Sequence, residues 1–129
     1  MTRTSCPCGL PATYADCCGR FHRGDAAAAT AELLMRSRFS AFAVADTDYL
    51  LATWHPSTRP RRVDLEPGWR WIRLDILDTV DGTPFHTTGE VSFRAHYTQH
   101  GRPGVLAEHS RFRTESGRWL YLDAVDPKS

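Results

Sequence analysis

At 129 residues the chain has the size of one ordinary domain, with room for a single core and one pocket. Hydrophobic residues at 41% and charged residues at 24% are globular values, and no apolar run approaches the roughly 20 residues needed to span a bilayer. The formal net charge of +1 gives no strong nucleic-acid signal and no case for attraction to anionic lipid, so neither partner is expected.

Every cysteine falls in two tight pairs near the start, Cys6-Pro7-Cys8 and Cys17-Cys18-Gly19. Four thiolates at two corners of a short loop can close a tetrahedral shell around zinc without a large core. Pro7 stiffens the first corner, and Gly19 offers the second a residue free to take positive φ. A disulfide framework is the competing explanation for an even cysteine count. It ranks below zinc because residues 1–5 lead directly into the cysteines without an apolar leader run, and vicinal cysteines are awkward disulfide donors. The expected metal ligands are therefore Cys6, Cys8, Cys17 and Cys18, with His22 as an alternative to Cys18, and the expected location is the cytoplasm.

After a basic connector, residues 30–45 place Ala31, Leu34, Met35, Phe42 and Ala45 on one face of an amphipathic helix. Arg38 lies in the middle of that face. A guanidinium is seldom buried alone, so a strand is expected to supply an acidic partner. Arg36 and Ser37 fall off the stripe and are expected at the surface. Asp46 should cap a second short helix running through Tyr49 to Trp54, which His55-Pro56 stops.

From Trp69 onwards the period changes to two. Ile72, Leu74 and Ile76 alternate with Arg73 and Asp75, and Asp81-Gly82 marks a reversal. Val91, Phe93, Ala95 and Tyr97 alternate with Glu90, Ser92, Arg94 and His96 in a second strand closed by His100-Gly101. A third strand covers about 105–113 and, after Ser116-Gly117, a fourth holds Trp119 and Tyr121. Helices followed by hairpin-linked strands argue for an α+β fold with an antiparallel sheet.

On the third strand, Leu106, Glu108, Ser110 and Phe112 form the more apolar face and should point inward. Glu108 then becomes the natural partner of Arg38, with Asp123 as a second candidate. Arg38, Trp54, His55, Glu108, Ser110 and Tyr121 are the pocket candidates, and His55 is the general-base candidate by type. No catalytic residue can be assigned, because the sequence holds no phosphate cradle, nucleophile elbow or histidine metal box.

The cysteine spacing resembles the SEC-C zinc motif. Past it, Leu34-Met35-Arg36-Ser37-Arg38-Phe39-Ser40-Ala41-Phe42, Thr53-Trp54-His55-Pro56-Ser57 and Ser110-Arg111-Phe112 resemble the YchJ-like family over nearly the whole chain. The resemblance implies a zinc knuckle at 1–24 followed at 25–129 by a domain similar to nuclear transport factor 2. That domain would be a cone-shaped antiparallel sheet wrapped around the N-terminal helices, which alternation alone cannot distinguish from a flat two-layer arrangement. The resemblance implies no activity, though it suggests a homodimer should an aromatic sheet face be left uncovered. Three roles follow: an adaptor that meets a protein partner through the knuckle, an enzyme working on a small molecule in the cone, or a ligand-binding domain with a structural metal. A water-filled cavity reaching both Glu108 and His55 would favour the enzyme, and a filled cone the adaptor.

Overall fold

Three helices precede the sheet: α1 (Cys18–His22), α2 (Ala31–Val44) and α3 (Thr47–Ala52). The computed structural model describes residues 5–125; residues 1–4, over which the absence of an apolar leader was expected, and 126–129 lie outside them. Thr30 starts α2, its Oγ1 accepting a hydrogen bond from Leu33 N at 3.1 Å, and Ala45 ends it in the left-handed region at φ 61°. Asp46 caps α3 as its sequence predicts, accepting from Tyr49 N at 3.0 Å.

α2 is buried on two sides. Ala31, Leu34, Met35 and Phe39 pack into the main core with Val91, Phe93, Phe112 and Trp119. Ser37 and Ser40 face the other way, toward Tyr49 on α3 and toward Cys6. Ser37 is therefore fully buried and Arg36 half-buried, where surface positions were expected. A single apolar stripe predicts one covered face, whereas this helix is also covered by the chain that precedes it.

The sheet runs β1 (Trp69–Asp81), β2 (Thr88–Gln99), β3 (Arg102–Glu115) and β4 (Arg118–Val125), antiparallel throughout and in sequence order. Two of its hairpins turn on His100-Gly101 and Ser116-Gly117. Both residues of each pair have positive φ, the geometry whose twist matches the flanking strands.

The expected cone is not formed. The four strands make an open sheet that is not strongly curled, and β1 and β4 share no ladder. Closing a sheet demands a staggered register around a full ring, typically about eight strands for a filled interior. Here α2 lies against one face, and the segment after α3 covers part of the β4 edge through hydrogen bonds from His55 N to Tyr121 O (2.7 Å) and from Tyr121 N to Thr53 O (2.8 Å).

Strand faces follow the alternation through the core, while the ladders carry three irregularities, two in β1 and one between β3 and β4. Val91, Phe93 and Ala95 are buried as expected, and so are Ser110 and Phe112. Ile72, expected inward, is 59% exposed. A β-bulge between Trp71 and Arg73 inserts it as an extra residue, so Trp71 and Leu74 take the core side instead.

Candidate functional site

The cysteine loop is built by local hydrogen bonds. Cys6 N donates to Ala12 O at 3.0 Å and Gly9 N to Cys6 O at 3.2 Å, closing a turn in which Gly9 has φ 93°. Gly19 is helical rather than left-handed. Its requirement is space, because a Cβ there would lie 2.7 Å from Tyr14 O. Gly19 N donates to that same carbonyl at 2.8 Å, which tucks Cys17 and Cys18 beneath the first corner.

All four sulfurs converge. The Sγ atoms of Cys6, Cys8, Cys17 and Cys18 lie within 4.8 Å of one another, each residue is buried, and each thiol is free. Cys8 and Cys17 are 3.6 Å apart, far beyond the bond length of a disulfide at about 2.05 Å. That spacing is close to the edge of a tetrahedron with metal–sulfur bonds of about 2.3 Å. The cluster can therefore hold a metal ion, and tetrahedral sulfur is the donor set zinc prefers.

The thiols share charge unequally. A hydrogen bond from Cys18 holds Cys8 down at about 5, while burial and the neighbouring sulfurs push Cys17 up to about 12. The bond with Cys8, together with burial, pushes Cys18 up as well. Cys8 is thus favoured as a thiolate, and Cys17 and Cys18 give up their protons when a cation binds.

His22 is not a member of this cluster. Its Nε2 lies 2.9 Å from Ser37 O, a carbonyl that only accepts, so Nε2 carries the proton and Nδ1 accepts from the Tyr14 hydroxyl at 2.6 Å. The imidazole thereby joins the cysteine loop to α2. Arg36 makes a second joint, donating through Nη1 to Cys8 O at 2.7 Å and through Nε to Glu32 at 3.0 Å.

A cavity of about 330 Å³ lies between α2 and the sheet. Met35, Arg38, Phe39 and Phe42 line it from α2, Trp54 from the segment after α3, and Trp69, Trp71, Phe93, Ala95, Leu106, Glu108, Ser110 and Tyr121 from the strands. Of the pocket candidates, Arg38, Trp54, Glu108, Ser110 and Tyr121 line it, while Trp69, Trp71 and Phe42 were not among those candidates.

Arg38 does not pair with Glu108. Its Nη1 donates to Leu50 O at 2.8 Å and to Thr53 Oγ1 at 2.7 Å, at the C-terminal end of α3 where helix carbonyls are free. Its Cζ lies 5.1 Å from the Trp54 ring centroid and 4.6 Å from that of Tyr121. Asp123, the other candidate, is held by Arg111 Nε at 2.7 Å. A helix end and two π faces thus replace the expected carboxylate. Burial pulls the guanidinium down to about 10, which leaves it charged at neutral pH.

Glu108 makes no hydrogen bond or ion pair among the described residues, and burial pushes its carboxyl above the ordinary range. His55 does not line the cavity. Its Nδ1 accepts from Ser57 N at 3.1 Å, so Nε2 donates to Glu115 at 2.7 Å, and the ring serves as a strut between a loop and the end of β3.

Among known proteins, the family described as YchJ, middle NTF2-like domain, matches residues 30–124. A UPF0225 protein from Streptomyces coelicolor is 58% identical over 123 residues, 95% of this chain and 96% of that one. Another, from Xanthomonas oryzae pv. oryzae, is 50% identical over 127 residues, 96% of each. The solution structure of a SEC-C motif containing protein from Rhodopseudomonas palustris matches with a TM-score of 0.83 at 32% identity, covering 95% of this chain and 100% of that one. A crystal structure of a SEC-C motif containing protein from Psychrobacter arcticus matches at 0.76 with 25% identity, covering 92% and 80%.

Proposed function

The chain belongs to the YchJ family of proteins that join a SEC-C motif to an NTF2-like domain, and we propose that it is a zinc-ordered cytoplasmic binding protein without turnover. The observation that carries the metal assignment is the convergence of four buried sulfurs within 4.8 Å. Four protein ligands leave zinc no open position, so the ion acts as a clasp. It holds residues 5–24 against α2, where Ser40 Oγ lies 3.5 Å from Cys6 Sγ. Four free thiols at one point also suit a reducing compartment.

Binding without chemistry is supported by what faces the cavity. Proton transfer near neutrality needs two groups whose environments divide the roles of acid and base. Glu108 can supply one, but His55 is tied to Glu115 and Ser57, burial pushes Tyr121 further from neutrality, and Arg38 stays charged. A Ser92, His109 and Glu90 relay does occur on the opposite sheet face. Its strands are central, with their backbone groups committed to ladders, so no pair of amides is free to stabilise an oxyanion.

Metal analysis of protein purified from cells is expected to give about one zinc per chain. A folded, metal-free protein whose four cysteines all react with a thiol reagent at once overturns the assignment.

A further inference from the structure

The charge inside the cavity is not balanced by the protein. Arg38 is 4% exposed, and its guanidinium meets no carboxylate among the described residues. Nη1 is committed to α3, while Nε and Nη2 have no protein acceptor there. The rings of Trp54 and Tyr121 lie over the guanidinium and leave its edge as the direction of approach. A buried cation without a counter-charge is unfavourable, and an anion from outside the chain corrects it.

We propose that the cavity binds a small organic acid with a flat apolar body, its carboxylate taken by the free edge of Arg38 and its ring held among Trp54, Trp71 and Phe42. The fork of two parallel N–H groups fits a planar carboxylate better than a point charge. Ser110, 1% exposed and lining the same space, has a hydroxyl with no partner among the described residues and offers one more hydrogen bond. Burial raises the Glu108 carboxyl, which lowers the cost of protonating it when an acid enters, and once protonated it donates a hydrogen bond instead of repelling the ligand. A volume of about 330 Å³ is at the small end for ligand sites, which suits one ring system and excludes a dinucleotide.

This inference rests on the reading of the cavity as a binding site, and three probes separate the two. Zinc-loaded full-length protein is titrated by calorimetry with indole-3-acetate, its neutral amide and tryptamine. The acid is expected to bind at least tenfold tighter than the amide, and Arg38→Met to shrink that margin to less than twofold. Should Arg38→Met fail to fold, nitrogen-15 spectra of the wild-type protein decide, because the acid is expected to move the Arg38 Nε–H resonance and the amide to leave it in place. Equal affinity for acid and amide, tighter binding of tryptamine, or an unmoved Arg38 resonance overturns the acid class while leaving the cavity a binding site. Binding of none of the three at millimolar concentration overturns both.

Discussion

The cysteine loop and the cavity use the same helix in opposite ways. On one side of α2, Arg36 and His22 tie down the chain around four sulfurs that point at one another, so the polar groups there are satisfied within the molecule or by an ion. On the other side Arg38, Glu108 and Ser110 share a space without bonding one another. A closed set of donors suits one resident ligand, whereas open bonding capacity in an aromatic-walled space suits a ligand that enters from outside. On the reading proposed above, the first site keeps its ligand and the second exchanges it.

The sharpest way to break this contrast is to open the closed site. Cys8→Ser removes a fully buried sulfur that the other thiols surround, and a hydroxyl does not replace a thiolate toward zinc. Zinc content is expected to fall from about one per chain to near zero, with stability reduced by about 3 kcal/mol or more, because metal binding is coupled to folding. Calorimetric unfolding alongside metal analysis checks both. A variant that keeps its metal and its melting temperature removes the distinction between the two sites.

Two buried serines give a finer test. Ser37 Oγ donates to Leu34 O at 2.8 Å and lies 2.7 Å from the Tyr49 hydroxyl, so Ser37→Ala leaves a half-buried phenol with one partner fewer. The expected cost is about 1–3 kcal/mol. Ser110 has no hydrogen-bond partner among the described residues, and Ser110→Ala is expected to change stability by less than about 0.5 kcal/mol. Urea unfolding at one pH compares them, and equal losses would mean that the cavity serine is held as firmly as the one beneath the cysteine loop.

The two regions also differ in how far the sequence reveals them. The metal cluster lies in one short stretch, where cysteine type and spacing already state the chemistry. The caps at Thr30 and Asp46 and the His100-Gly101 and Ser116-Gly117 turns are similarly local, so each is decided by residues adjacent in the chain. Tertiary arrangements left weaker marks. Burial of Arg38 could be read from its place on an apolar stripe, but its partners could not, since the end of α3 and two ring faces are acceptors that no residue-type pattern announces. The bulge at Ile72 is invisible to period-two reasoning because the bulged residue is itself apolar. The cone failed for a different reason. It came from the family resemblance, and alternation along four strands is equally compatible with an open sheet.

The smallest expected effect follows from the pairing that is absent. Had Arg38 and Glu108 been partners, Glu108→Gln would leave a buried cation exposed to the full desolvation penalty and destabilise the fold. Without that pair the sign reverses. The folded carboxyl holds its proton more tightly than the unfolded one, so the native state is favoured at low pH and loses that advantage as pH rises through the ordinary glutamate value of about 4.3 toward the raised one. The amide introduced by Glu108→Gln has no charge to desolvate, so the variant is expected to melt slightly above the wild-type protein at pH 7, with the gap closing below about pH 4 where the carboxyl is protonated in both states. The surface comparison is Glu90→Gln, which weakens the contact with His109 at a partly exposed site and is expected to leave the melting temperature unchanged or lower at pH 7. A Glu108 variant that melts well below wild type at pH 7 would show that a carboxylate does neutralise Arg38, and the space between α2 and the sheet would then be as closed as the cysteine cluster.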